Sequence, residues 1–323
     1  MRLSVTQAAE PSERLKVIKR FQNKVATGRY TLPITVVYAV LMLFVCGAIT
    51  PSHWIQLALL GISTSFMVML NNSNSLIRVF SRLVSCSFLT LIIMLPSLLD
   101  SLSGCVVQLL FILMLLFLFK AYQDRQSMGL VFYAFVCIGG ISTQFIQILV
   151  FIPFIWIMLF TSLQAGSARA LVASLLGLLL PYWFWACYSI YNESYGLIID
   201  HVLSIASIDY SFEILLQPAR LLTLILTTIL GVTGVVYFFS AGYKNNIHTR
   251  MLYNVLITLF LVSIIFIILQ PQHSDYLIRI AIICASPLIA HFFTFTNTWL
   301  TNIAFYGTMI AIFSITILNT WIF

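Results

Sequence analysis

The chain has 323 residues, of which 61% are hydrophobic and 8% charged, and its mean hydropathy is +1.04. Soluble domains carry about 25% charged residues, so this composition excludes an ordinary water-soluble domain and predicts a chain that faces lipid. Its apolar runs are long and unbroken rather than alternating, which excludes an outer-membrane barrel and predicts an all-α polytopic transmembrane helical bundle.

The N-terminal segment, residues 1–30, is predicted to be basic and cytoplasmic. It holds seven of the sixteen Lys and Arg residues, which therefore serve membrane topology and do not indicate nucleic-acid binding. It forms either an interfacial helix on anionic lipid or a disordered basic tail. It lacks the small-residue cleavage site of a signal peptide.

The remainder, residues 31–323, is predicted to be a single transmembrane domain. A span needs about 17–25 apolar residues, and the apolar runs predict about eleven passes. They cover roughly 32–49, 54–70, 83–99, 105–119, two segments within 128–161, 168–190, 221–240, 251–269, 278–293 and 303–323. The six cysteines lie in or beside these runs without CxxC spacing, so we expect buried thiols, no metal site and no cofactor.

The run 128–161 is too long for one pass, because a single helix of this length would extend about 50 Å. Its centre, GGISTQFIQ at 139–147, combines two glycines with four polar residues and predicts a break. We expect either two short passes or a re-entrant pair of half-helices. Both alternatives return the chain to the side that it left.

The positive-inside rule fixes the predicted orientation. With the N-terminus in the cytoplasm and the C-terminus in the periplasm, fourteen of the sixteen basic residues lie inside and only Arg220 and Arg279 lie outside. Six acidic residues fall outside. They are Asp100, Glu193, Asp200, Asp209, Glu213 and Asp275.

The external segment 191–220 is the longest polar interruption after the N-terminus, and its spacing predicts an amphipathic helix on the outer membrane surface. Asp209 and Glu213 are four residues apart and share a helix face, so they are the candidate catalytic carboxylates. The candidate substrate-binding residues are Asp200, His201, Arg220 and Arg279. The simpler alternative is that these acids are ordinary loop residues, and that Arg279 snorkels to water or forms a structural ion pair.

Carboxylates and a basic residue near a lipid interface are typical of enzymes that transfer a sugar from a polyprenyl-phosphate carrier. A carboxylate would act as general base on the acceptor hydroxyl, and an arginine would hold the leaving phosphate. The expected partners are membrane lipid and a polyprenyl-phosphate-linked sugar, in cell-envelope assembly. The alternatives are a transporter or channel with a broken-helix site near 139–147, and a non-catalytic subunit of a membrane complex. The sequence leaves open whether the protein is an enzyme.

Four stretches, taken together, resemble an uncharacterised family of polytopic inner-membrane proteins from Bacteroidota. They are LNNSNSLIRVFSRL (70–83), FYAFVCIGGISTQFIQILVFIPFIWIMLF (132–160), ARALVASLLGLLLPYWFW (168–185) and ASPLIAHFFTFTNTWLTNIAFY (285–306). The resemblance implies a bacterial inner-membrane location and carries over no catalytic residue.

A looser analogy is with lipid-carrier-dependent glycosyltransferases, which place an acidic residue in their first external loop. The corresponding loop here, Thr50–Gln56, contains His53 and no acid. The analogy therefore requires Asp100 or the acids of 191–220 to serve instead.

Overall fold

The structure is a computed structural model that describes residues 20–193, 195–204, 217–241 and 245–322. Over these residues it contains α-helices and short 3₁₀ turns, and no strand. The α-helices are α1 (Phe21–Thr27), α2 (Thr31–Val45), α3 (Trp54–Asn74), α4 (Leu83–Ile93), α5 (Leu102–Lys120), α6 (Met128–Ser142), α7 (Ile152–Thr161), α8 (Ala168–Tyr191), α9 (Tyr195–Leu203), α10 (Pro218–Ala241), α11 (Ile247–Leu269), α12 (Ser274–Phe295) and α13 (Trp299–Ile322). The 3₁₀ turns are Pro51–His53, Pro96–Leu99, Ile146–Phe151 and Pro271–His273.

Seven of the described helices are long and apolar enough to cross a membrane, or eight if the bent pair α1 and α2 forms one span. The predicted all-α fold with several apolar spans is therefore confirmed, whereas the seven or eight candidate spans do not establish the predicted eleven passes or the orientation of the termini. The helices α4, α6 and the segment Ile146–Thr161 are apolar but shorter.

The helix α12 is the centre of the bundle. Of its apolar span 94% is buried, against 17% for α8 and 11% for α13, and it packs against α4, α5, α10 and α11. An α-helix that is apolar all round is expected at such a central position. The helices α8 and α13 instead present most of their apolar surface outward.

The loops gather at two ends of the bundle. The basic end, as we call it, comprises α1 and the loops 75–82, 121–127, 162–167 and 296–298. Within this end the Gln123 N–H donates to the Leu163 carbonyl at 2.8 Å, the Tyr122 ring contacts His248 at the start of α11 with centroids 4.6 Å apart, and the Gln22 amide of α1 donates to Thr296. Arg78 of the loop 75–82 donates to Asn246, directly before α11. The opposite, acidic end comprises the loops 46–53, 94–101, 143–145 and 270–273.

The run 128–161 doubles back. It forms α6, a turn at 143–145, a 3₁₀ segment and α7, and the Gln123 to Leu163 bond places both of its outer ends at the basic end. The predicted break within 139–147 is thus confirmed, and it lies between Ser142 and Ile146. Gly139, in contrast, lies inside α6, where a Cβ atom would come within 2.7 Å of the Leu178 carbonyl of α8.

Two predictions fall wholly or partly on residues outside the described ranges. For the N-terminal segment the structure describes only α1 and the residues next to it, so the choice between an interfacial helix and a tail over 1–19 stays open. The amphipathic external segment is described through α9 and residue 204. Residues 205–216, which include Asp209 and Glu213, lie outside the described part of the chain.

Candidate functional site at the acidic end

The side chain of Arg279 is enclosed in the protein core, one turn into α12, and is 0% exposed. Its guanidinium donates to Asp275 Oδ2 at 3.4 Å, to Gln108 Oε1 at 3.4 Å and to the backbone carbonyl of Leu98. The ion pair that the sequence allowed is therefore present, whereas snorkelling to water is excluded by the burial. A charge buried in this way needs such partners, because desolvation costs several kcal/mol.

Gly104 makes room for this guanidinium. A Cβ atom on Gly104 would lie 2.6 Å from Nε and from Nη2 of Arg279, so no larger residue fits without displacing the arginine. Gly104 is in the first turn of α5, where Ser101 caps the helix by accepting the Gly104 N–H at 3.0 Å. The positive end of the helix dipole is unfavourable for a cation. The Asp275 carboxylate and the Leu98 carbonyl offset this field.

The hydrogen-bonding capacity around the guanidinium is not fully used. Arg279 Nε and Gln108 Nε2 are buried donors without a partner among the described residues. Unpaired buried donors are rare in folded proteins, and each costs about 1–3 kcal/mol. This small region between α5 and α12 thus combines a buried charge with two buried donors that have no acceptor among the described residues.

The first and second loops of the acidic end meet beside this region. His53 Nε2 lies 3.7 Å from Asp100 Oδ1, and His53 Nδ1 contacts Thr50 Oγ1 at 2.8 Å. The side chain of Asp100 is 58% exposed and that of His53 is 23% exposed. Asp100 follows Leu98 by two residues, so its carboxylate is an accessible acid directly beside the chain segment that Arg279 holds.

An aromatic wall borders the same region. The Tyr276 hydroxyl contacts Ser103 Oγ at 3.0 Å, and its ring stacks on Phe145 with centroids 5.0 Å apart. Phe145 also lies 5.2 Å from the His273 ring. The loop 143–145 is thereby attached to the starts of α5 and α12. A polar surface backed by aromatic rings suits an amphipathic ligand with a polar head.

The structure separates the predicted site residues. Asp200 is exposed on α9, and the neighbouring His201 bonds through Nε2 to the Ser142 carbonyl at 2.8 Å and lies edge-on to the Trp185 ring. Arg220 is partly exposed in the first turn of α10. Only Arg279 belongs to the buried cluster, and its carboxylate partner is Asp275.

Two residues of this region were not among the predicted site residues, although the glycosyltransferase analogy allowed Asp100 as its acid. His53 and Asp100 are 47 positions apart, and no short motif joins them. The sequence indicated only that both residues lie outside the membrane on the same side. This placement allows His53 and Asp100 to meet but does not predict that they do.

Searches against protein-family models, curated proteins and solved structures found no match. The fold therefore defines the protein only as a helical membrane protein with several apolar spans, and its function has to be inferred from the geometry of the acidic end. Within the described residues, no group of three or more His, Cys, Asp and Glu side chains could hold a metal ion.

Proposed function

We propose that the protein is an eleven-pass protein of a bacterial inner membrane, with its N-terminus in the cytoplasm and its C-terminus in the periplasm. The charge distribution supports this orientation. Among the Lys and Arg residues that the structure describes, Arg220 and Arg279 lie at the acidic end and all the others lie at the basic end. Among the described Asp and Glu residues, Asp124 is the one that lies at the basic end. By the positive-inside rule the basic end is cytoplasmic.

We further propose that the protein acts in cell-envelope assembly and handles a lipid-linked sugar at its external, acidic end. The observation that carries this proposal is the approach of His53 to Asp100 beside the buried guanidinium of Arg279. The analogy with lipid-carrier-dependent glycosyltransferases required an acid near the first external loop. Asp100 of the loop 94–101 lies 3.7 Å from His53 of the first external loop, which supports this analogy.

The chemical roles follow from accessibility. Asp100 is exposed and would accept the proton of an acceptor hydroxyl as a general base, with His53 Nε2 lying 3.7 Å from its carboxylate. Arg220 is partly exposed and can meet the phosphate of a lipid carrier. Arg279 is enclosed, so it supports the loop of Asp100 through Leu98 rather than binding the substrate. Asp209 and Glu213 remain predicted contributors.

The transporter alternative is less well supported. It needs a broken helix near the middle of the membrane, whereas the break lies at the acidic end, where Phe145 contacts His273 and Tyr276. Gly139, the other element of that alternative, packs against α8.

The non-catalytic subunit alternative draws on one observation, the outward-facing apolar surfaces of α8 and α13. Lipid alone also accounts for these surfaces, because the bilayer core is as apolar as they are.

Lipid analysis of a deletion strain tests the proposal. We expect loss of the gene to cause a polyprenyl-phosphate-linked sugar to accumulate, as measured by mass spectrometry of extracted lipids. Wild-type protein and the control variant Asp124→Asn should remove the intermediate, whereas Asp100→Asn should not. Immunoblots of membrane fractions verify equal amounts of each protein. A deletion strain with an unchanged lipid profile, or full complementation by Asp100→Asn, would refute the proposed function.

A further inference from the structure

A second region that could bind a ligand lies on the side of the bundle, between α2 and α13. A cavity of about 340 Å³ opens between α2 and α13, and its floor is formed by α4 and α12. Leu91 and Ala290 on the floor are buried, whereas Ile34 and Met309 on the rim are exposed. Ligand pockets measure about 300–1,000 Å³, so this groove has the volume of a small ligand site and faces sideways out of the bundle.

The groove is elongated and closed at its two ends. Toward the acidic end, Tyr38 of α2 reaches α13, where its hydroxyl contacts Thr316 Oγ1 at 3.4 Å. Toward the basic end, the ring of Phe21 in α1 stacks on Tyr306 at 5.0 Å and lies 6.2 Å from Phe305. The helical rise over the eleven positions from Phe305 to Thr316 gives a length of roughly 16 Å. An extended hydrocarbon chain suits this shape.

The side chains that line the groove also favour a hydrocarbon chain as the ligand. Side chains of the groove are aliphatic or aromatic except for a few hydroxyl groups and one thiol. Several of these hydroxyls are already engaged, since Thr31 donates to the Val25 carbonyl and Thr90 to the Cys86 carbonyl. A sugar or a nucleotide would leave its polar groups unpaired in such a groove.

The helix α1 closes the groove and carries positive charge beside it. It bends by 94° relative to α2 and is held by Gln22, which is 0% exposed and donates to Thr301 Oγ1 at 3.2 Å. With α2 crossing the membrane, α1 lies along the membrane surface. Lys24 and Arg29 are both exposed there.

A third cation lies at the start of α4, one of the two helices that form the floor of the groove. Arg82 is partly exposed and directly precedes Leu83, which lines the groove as the first residue of α4. Its guanidinium lies over the Phe80 ring at 5.3 Å. Three basic residues, Lys24, Arg29 and Arg82, therefore lie within two positions of residues that line the groove, namely Val25, Thr31 and Leu83. This charge pattern is complementary to a negatively charged lipid head group.

We propose that this groove is a binding site for an anionic phospholipid. One acyl chain lies between α2 and α13, and the phosphate head group contacts Lys24, Arg29 and Arg82. The site is independent of the proposed external active site, because none of His53, Asp100 and Arg279 lines the groove.

Native mass spectrometry of the purified full-length protein, titrated with phosphatidylglycerol or phosphatidylcholine, tests this site. We expect tighter binding of phosphatidylglycerol and a weakening of about fivefold for each charge removed by Lys24→Gln and Arg29→Gln. Arg125→Gln is the matched control, since Arg125 is exposed at the same end but outside the groove. Equal affinity for both lipids, or an equal effect of Arg125→Gln, would overturn the proposal.

A second pair of variants tests the groove itself. Thr308→Trp places a large ring in the groove and should abolish the phosphatidylglycerol adduct, whereas Ser314→Trp on the exposed side of α13 should leave it intact. Gel filtration and thermal unfolding show whether both tryptophan variants fold. The charge variants Lys24→Gln and Arg29→Gln do not alter residues that line the groove, so they test the proposal separately. An intact adduct in folded Thr308→Trp protein, or a dimer in place of a lipid adduct, would contradict the assignment.

Discussion

The contact between Gly104 and Arg279 gives the sharpest test of the buried cluster. In Gly104→Ala the new methyl group would lie 2.6 Å from Arg279 Nε. Ordinary contact is about 3.5–4.0 Å, so the guanidinium has to move by about 1 Å. Its three acceptors, Asp275, Gln108 and the Leu98 carbonyl, oppose that movement.

The expected destabilisation combines two contributions. Overpacking a well-filled core costs about 1–3 kcal/mol, and a weakened hydrogen bond to a charged group adds up to about 1.5–3 kcal/mol. We therefore expect Gly104→Ala to lower the free energy of unfolding by about 2.5–6 kcal/mol. Gly61→Ala is the matched control, because Gly61 is helical, exposed and has open space around its Cβ position. It should be neutral or up to about 1 kcal/mol more stable.

A double-mutant cycle attributes the effect to the arginine. Arg279→Met removes the guanidinium and should itself destabilise the protein by about 1–3 kcal/mol, because the Leu98 carbonyl and Gln108 lose their donor, whereas Asp275 is 19% exposed and stays in contact with water. Gly104→Ala should cost less in that background, with a coupling free energy of about 1–3 kcal/mol. The free energy of unfolding of each variant is measured in mixed micelles at increasing concentrations of a denaturing detergent, with tryptophan fluorescence as the readout. Additive effects of the two substitutions, or equal losses in Gly104→Ala and Gly61→Ala, would refute the reasoning.

Two further predictions concern the helices around the doubled-back run. Gly177→Leu should separate α6 from α8, because a Cβ atom at this position would lie 2.5 Å from the Phe132 carbonyl. We expect the free energy of unfolding to fall by about 1–3 kcal/mol in the same assay. Stability equal to that of Gly129→Leu, whose Cβ position is open, would contradict this prediction. In a cysteine-free background, the double variant Gln123→Cys with Gln164→Cys should form a disulfide. In the single variant Gln123→Cys, a membrane-impermeant thiol reagent should not reach the cysteine from the periplasm. Periplasmic labelling would reverse the proposed orientation, and failure to cross-link would argue against the return of the chain.

The sequence was sufficient wherever hydrophobicity alone decides the structure. Long apolar runs must satisfy their backbone hydrogen bonds internally, so the helices could be located from composition. The two adjacent glycines and polar residues after Ile138 predicted the break in 128–161, although the break itself follows Ser142. The sorting of basic and acidic loops to opposite ends was also readable from the order of the charges.

The candidate site depended on contacts between distant parts of the chain. His53 meets Asp100 and Arg279 meets Leu98 because α3, α4, α5 and α12 pack together, and loop pairing of this kind has no periodic signal in sequence. The sequence allowed Arg279 either to snorkel or to pair. Helix packing decided between these two outcomes in favour of the ion pair, because Gly104 leaves room for the guanidinium and α12 is enclosed by its neighbours. Hydrophobicity thus determined which segments enter the membrane, while side-chain volume and hydrogen bonding between helices determined which polar residues meet.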